Sequence, residues 1–205
     1  MSPTTSADNP ENVLAEYLNQ VHPLTPKAAA YLNRHSFPVQ LRKGEFLAIP
    51  DQQETNLYYI TRGVIRGYLE ISGREITTWI NEEHEMVGTI TNFGLSTPNE
   101  EYMQALEPCE LIGIPQQSID FCYRHFPETN IIGRIILEGY YRDAEERVII
   151  SRIPSAAKRY QRFEQRFPNL LYRVPLKYIA SYLGMTHETL CRLRARQHTS
   201  SRIAL

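Results

Sequence analysis

The residues of this chain whose types and spacing suggest chemistry crowd into one stretch, Val174 to Arg196. His187, Glu188, Thr189, Cys191, Arg192 and Arg194 fall where a helix would turn them away from its packed face, with Lys177 before them and Arg196 after. Such a row supplies donors and acceptors suited to base edges in a DNA major groove and to the phosphates beside it. The residues between them set the geometry. Ile179 and Leu183 stand four apart on one helix face, and Ala180 is small where a second helix must cross closely. Gly184 supplies the left-handed conformation of a turn. Met185 enters the shared core, Thr186 caps the second helix, and Leu190 and Leu193 pack back on the first. The pattern predicts a helix-turn-helix. Its DNA-contacting set is Lys177, Thr186, His187, Glu188, Thr189, Cys191, Arg192, Arg194 and Arg196. The plain alternative is an αα-hairpin with a solvated charged face.

Charge supports the first reading. Residues 1–150 hold 11 Lys and Arg against 21 Asp and Glu, whereas residues 151–205 hold 11 against 2, so a net −10 precedes a net +9. A basic module on an acidic one suggests a polyanion partner, or two modules that attract each other. No apolar run approaches the roughly 18 residues that span a bilayer. The first residues lack the basic and apolar regions of a secretory signal. Cys109, Cys122 and Cys191 are odd in number and widely spaced, which fits a reducing, cytoplasmic setting without a disulfide framework.

Other chemistry finds little footing. A cupin-like metalloenzyme needs a His-x-His pair with further ligands on neighbouring strands, and the chain offers His84 beside Glu82, Glu83 and Glu85. His22, His35 and His125 stand alone, and no Gly-rich phosphate loop or nucleophile motif is present. The chain is read as a non-enzyme with no cofactor and no metal site. Cys109 and Cys122 are read as core residues. Cys191 is a small neutral residue near the phosphate backbone or, less simply, a redox-sensitive thiol.

The elements that must position these residues follow from periodicity. Val13, Leu14, Tyr17 and Leu18 recur at helical spacing, Pro23 ends that pattern, and Thr25-Pro26 opens a second short helix. Eight short runs then follow: Phe37–Leu41, Phe46–Ile49, Leu57–Ile60, Val64–Ile71, Glu75–Ile80, Met86–Ile90, Tyr102–Leu106 and Glu110–Ile114. Their spacing predicts an antiparallel barrel or jelly roll, with a hairpin turn at Ser72-Gly73. A short helix covers 116–126. Asn130–Arg152 is a long one of about 34 Å, too apolar for a solvated connector, with Gly139 weakening its middle unless another helix approaches closely. Ser155 caps Ala156–Arg166, and Phe167-Pro168-Asn169 is a turn. Lys158, Arg159 and Arg162 are either flanking phosphate contacts or a solvated helix face. Residues 197–205 are a loose tail or a small last element.

Four segments resemble the Crp/Fnr family of bacterial transcription regulators, in the form common in Bacteroidetes: Lys43–Phe46, Leu57–Tyr68, Gln104–Leu111 and Pro175–Arg196. The resemblance implies an α+β fold, with an N-terminal antiparallel β-roll flanked by helices, a long dimerisation helix and a C-terminal winged helix-turn-helix. The domains would be 1–128 (cyclic-nucleotide-binding-like), 129–153 (dimerisation helix) and 154–205 (DNA-binding). It implies a homodimer on a palindromic duplex, RNA polymerase as a further partner, and an unknown small-molecule effector or none. In the family, base-reading residues of the second helix match His187, Glu188, Cys191 and Arg192 here. Glu188 would accept from a cytosine amino group, and Arg192 would donate to a guanine or a phosphate. The family's cyclic-nucleotide cassette pairs a Gly-Glu with a later Arg-Ser. Here these fall on Gly88-Thr89 and Asn99-Glu100, followed by Glu101, so the ribose-binding glutamate and phosphate-binding arginine are missing. A degenerate pocket of Gly88, Thr89, Asn99, Glu100 and Tyr102, unresponsive to cAMP, is expected. A protein-interaction module that has lost DNA binding is the remaining alternative.

Overall fold

The computed structural model describes residues 12–52, 55–89, 93, 95 and 97–203, with side-chain surroundings described as far as Arg196. Two helices lead in, α1 (Val13–Val21) and α2 (Pro26–His35). Thr25 caps α2 by accepting the Ala28 N–H at 3.3 Å, and Pro26 sits where no amide partner is needed.

Eight strands follow among the described residues: β1 (Phe37–Leu41), β2 (Phe46–Ala48), β3 (Asn56–Arg62), β4 (Ile65–Ile71), β5 (Arg74–Asn81), β6 (Met86–Val87), β7 (Tyr102–Ala105) and β8 (Cys109–Pro115). They form two antiparallel four-stranded sheets, β1-β8-β3-β6 and β2-β7-β4-β5. Inward-facing Ile60, Ile65, Val87, Met103, Ala105 and Leu111 fill the space between them. Ser72 and Gly73 both take positive φ, 52° and 72°, as a two-residue turn between twisted strands requires. Gly67 is needed for a different reason: a Cβ there would overlap the Trp79 indole of the paired strand. The run expected over Met86–Ile90 is strand only at Met86–Val87, and Ile90 lies outside the described residues.

The helix α3 (Gln116–His125) leads to α4 (Pro127–Arg152). α4 starts three residues earlier than its apolar pattern suggests because Pro127 is pre-set for a first helical turn. Its inner face lays Ile132, Ile136 and Tyr140 against the roll and α1. Glu85 lies half-buried at this seam, close to the phenols of Tyr17 and Tyr140. Burial above all, helped by the charges of Asp143 and Glu82, raises its carboxyl to about 7, although it accepts the Glu82 N–H at 2.8 Å.

The remaining chain is helical: α5 (Ala156–Arg166), α6 (Leu170–Arg173), α7 (Leu176–Tyr182) and α8 (His187–Ile203). α6 was not expected from the sequence. α8 carries on through 197–203, where a loose tail was one expectation, since no Gly or Pro follows Gly184 to stop it. For the same reason the C-terminal module is without a strand wing among the described residues, which corrects the winged description.

These helices do not stand apart from the roll. Tyr160, Phe163, Leu170, Val174, Ile179 and Leu190 share one buried cluster with Val64, Ile80 and Leu106 of the roll and Ile150 of α4. Arg173 is held by Glu82 (3.2 Å), Glu83 (2.7 Å) and Glu107 (2.5 Å). Burial alone would raise the Glu83 carboxyl, but hydrogen bonds from Arg173 and from the Gly63 N–H hold it down at about 2. The Arg66 guanidinium, 1% exposed, lies 4.1 Å from the Tyr68 ring and 3.5 Å from the Tyr178 ring of α7, and bonds Glu75 at 2.6 Å. Ser181 of α7 accepts the Thr77 N–H at 3.0 Å and donates to the Glu75 carbonyl at 2.9 Å, joining α7 to the edge strand β5.

The raised Glu85 carboxyl makes a signed pH test. Stability from its neutral form is fully present below the ordinary carboxyl value of about 4.5 and is lost as pH rises through about 7. Glu85→Gln keeps an acceptor for the Glu82 N–H. In denaturant titrations it is expected to be more stable than the wild type at pH 8, with the difference shrinking toward pH 4.5. A variant less stable than the wild type at pH 8 would contradict the assignment.

Candidate nucleic-acid interface and roll cavity

The turn between α7 and α8 is fixed by backbone bonds. The Met185 N–H reaches the Ala180 carbonyl at 3.0 Å and the Gly184 N–H reaches Ser181 at 3.1 Å, while Gly184 takes φ +60°. This is a Schellman closure, in which a left-handed residue lets the chain leave one helix and start another. Thr186 then caps α8 by accepting the Thr189 N–H at 3.2 Å. Its hydroxyl is thus already engaged, although the sequence places it among the DNA contacts. Ile179, Ala180, Leu183 and Leu190 are at most 1% exposed, and Met185 and Leu193 pack against them.

With that face buried, α8 turns the others outward. His187, Glu188, Arg192 and Arg196 are exposed, whereas Thr189, Cys191 and Arg194 are half-buried. Pairs four residues apart touch along the outer face: Cys191 Sγ lies 3.6 Å from His187 Nε2, and Arg192 Nε donates to the Glu188 carbonyl at 3.4 Å. The Glu188 carboxyl is lowered, first by its own backbone N–H and then by the Thr186 hydroxyl, as suits an acid in the first turn of a helix. Lys177 is exposed on α7, its ammonium 4.6 Å from the Tyr178 ring.

Part of the basic charge counted in the sequence is engaged within the chain. Arg162 forks onto Glu146, Arg166 meets Asp143 at 2.8 Å, and Arg173 meets the three roll glutamates. Arg159 donates to the carbonyls of Ile153 (2.7 Å), Pro154 (3.4 Å) and Gly184 (3.4 Å). Arg159 and Arg162 thus make capping and docking bonds within the chain, with the Arg162 side chain still 42% exposed, and Lys158 beside them is exposed. For Arg162 the reason is topological: its acid, Glu146, lies on α4, 16 residues away in sequence.

The second site is a cavity of about 1420 Å³ between β5, β6 and α4. Of the residues expected to line a pocket, Gly88 and Glu100 do so. Thr89 and Asn99 are buried beneath it, with Asn99 bonded to the Ile49 carbonyl and the Glu101 N–H. Tyr102 faces elsewhere and stacks on Tyr68 with centroids 4.7 Å apart. Glu101, the acid that follows the cassette, lines it too, and so do Thr78, Trp79, Tyr140, Tyr141 and Arg147, which the sequence does not single out. Glu101 is 9% exposed and accepts the Thr78 hydroxyl at 2.5 Å, and burial raises its carboxyl. The alternation of strand faces would have placed Trp79, but the α4 contribution depends on a helix more than 30 residues away. His84, the one candidate metal ligand beside acids, shares a 2.9 Å bond with the Tyr59 hydroxyl. Among the described residues no group of three His, Cys, Asp or Glu side chains is placed to hold a metal ion, and no helix is long and apolar enough to cross a membrane.

Comparison with known proteins bears on the whole chain. Residues 38–125 match the cyclic nucleotide-binding domain family. No curated protein sequence matches the chain. Among solved structures, FixK2 from Bradyrhizobium japonicum is 20% identical over 81% of this chain and 86% of its own, with a TM-score of 0.67. The c-di-GMP responsive global regulator CLP of Xanthomonas campestris is 17% identical over 86% and 93%, with a TM-score of 0.69. A regulator assigned to the crp/fnr family from Eubacterium rectale is 15% identical over 90% and 88%, with a TM-score of 0.68. Residues 38–125 are thus similar to the cyclic nucleotide-binding domain family, and the chain shares the α+β fold of these solved regulators.

Gly184 has open space where a Cβ would go, so replacing it tests backbone conformation alone. Gly184→Ala is expected to lower unfolding stability by about 1–2 kcal/mol, the usual cost of a left-handed L-residue. Gly184→Asn should lose less. Equal stability of Gly184→Ala and the wild type in urea unfolding would contradict the turn described above.

Proposed function

We propose that the chain is a homodimeric, sequence-specific DNA-binding transcription regulator of the Crp/Fnr type. Residues 1–128 form its sensor roll, 129–153 its dimerisation helix and 154–205 its DNA-binding module. One observation carries this reading: α8 lifts His187, Glu188, Arg192 and Arg196 into solvent from a face anchored by fully buried residues of α7 and α8. A helix so presented fits a major groove, and its guanidinium and carboxylate groups match guanine and cytosine edges.

The dimer rests on α4. Leu137, Tyr141 and Val148 are 59%, 67% and 52% exposed, and with Ala144 they recur at spacings of four, three and four. That is the seam of a two-stranded coiled coil, and a second copy of α4 would cover it. A Cβ placed on Gly139 would meet no other element within 4 Å in the single chain, which leaves room for such an approach. Two-fold symmetry would set the recognition helices about 34 Å apart on successive major grooves, so a palindromic site follows. The regulator is not cAMP-responsive on this reading. No Lys or Arg occurs from Glu75 to Tyr123, and Asn99 stands at the position of the family's phosphate-binding arginine, with the acids Glu100 and Glu101 directly after it.

The pairing of Arg162, Arg166 and Arg173 within the chain favours one other reading, a module whose basic charge serves only docking. Fluorescence anisotropy with duplex DNA at varied salt separates the two. DNA binding that weakens steeply with salt is expected. Arg192→Ala should cost about 1–3 kcal/mol on the preferred site and relax specificity there. No binding by the wild type even at low salt would overturn the regulator reading, and an equal loss across all sequences would make Arg192 a phosphate contact.

A further inference from the structure

The roll cavity has a character of its own. Its walls are mainly apolar and aromatic, with Trp79 and Val87 from the sheets facing Leu137, Tyr140 and Tyr141 of α4. Glu101, more than nine-tenths buried, lines it as well. The Thr78 hydroxyl and the Trp79 side chain each donate to its carboxylate. A carboxylate offers about four lone-pair sites, so acceptor capacity remains after those two bonds. Glu100 adds a second acid at the same wall.

Cations reach the cavity only from α4. Arg134 is bound to Glu138. Arg142 is exposed at the rim. Arg147 interacts with Glu101 across the cavity without an ion-pair contact. The sheet side is thus acceptor-rich and free of Lys and Arg, which disfavours a phosphodiester. An aromatic face in reach of a buried carboxylate is a pairing that holds organic cations, the ring through stacking and cation–π attraction and the ammonium through charge-assisted hydrogen bonds.

We propose that this cavity binds an aromatic amine, its ring held by Trp79, Tyr140 and Tyr141 and its ammonium donating to Glu101. The proposal rests on reading the roll as an effector domain and names the chemical class of that effector.

The test uses the full chain and its single tryptophan, Trp79, as reporter. β-Phenylethylamine, its anionic counterpart phenylacetate, and cAMP are titrated separately, with Trp79 emission and calorimetry as readouts. The amine is expected to perturb Trp79 saturably and to bind at least about tenfold more tightly than phenylacetate, a difference of about 1.4 kcal/mol. Glu101→Gln keeps acceptors for Thr78 and Trp79, and should lose about tenfold in amine affinity with an unchanged circular dichroism spectrum. Leu69→Gln, at a cavity-lining position of β4 away from the α4 seam, leaves Glu101 intact and should weaken the amine and its uncharged ring analogue toluene alike. Binding of the anion or of cAMP in preference to the amine overturns the proposal. So does amine binding indifferent to Glu101→Gln, or no binding of any probe. DNA binding is measured on the same preparations. A chain that binds DNA and ignores the amine refutes the ligand class alone, and one that binds the amine without DNA retains the ligand class and refutes the regulator reading.

Discussion

The arrangement of this molecule depends on one docking event, the burial of the C-terminal helices against the roll. Phe163, Ile179 and Leu190 cannot be covered by their own short helices, and Val64, Ile80 and Leu106 of the roll and Ile150 of α4 complete their core. Polar contacts then fix the orientation that apolar burial leaves open. Arg173 has three acid partners, and Arg66 is clasped between Tyr68 and Tyr178 with Glu75 balancing its charge. A buried guanidinium left without such partners would be strongly destabilising, so this geometry is specified rather than merely permitted.

The same docking explains why opposite charges sit on the two parts of the chain. Some of the C-terminal cations neutralise acids of the roll and of α4, and the outward remainder lies along α7 and α8, where Lys177 and Arg192 are exposed. Strand β5 belongs to both sites. Thr78 and Trp79 line the cavity, while the Thr77 N–H and the Glu75 carbonyl bond Ser181 of α7. A ligand that moved β5 would therefore act directly on the first helix of the pair that presents α8, with no long chain of intermediaries.

Local signals are legible in this sequence, and long-range ones are not. The spacing from Ile179 to Leu193 is decided within two helices and a turn, so Gly184, Thr186 and the buried anchors were all legible. The turn at Ser72-Gly73 and the eight strand runs were legible for the same reason, since alternation and turn chemistry act over a few residues. The pairing of Arg173 with acids 66 to 91 positions earlier has no local signature. Neither does the cavity wall that α4 provides. Tyr102 was misplaced because a strand shows its residues to alternate faces, and only the register of β7 against β4, with Tyr102 opposite Tyr68, says which face is which. The wing rests on family resemblance alone, and among the described residues the C-terminal module holds helices without strands.

The measurement that bears most directly on this account is selection of binding sites from random duplex DNA by the purified full chain, read by sequencing, with and without cAMP. A palindromic consensus with half-sites one helical turn apart, enriched equally in both conditions, is the result the account predicts. Enrichment that appears only with cAMP would contradict the reading of the acidic, arginine-free cassette. Failure to enrich any sequence, at low salt and with the aromatic amine also present, would contradict the assignment of α8 to DNA.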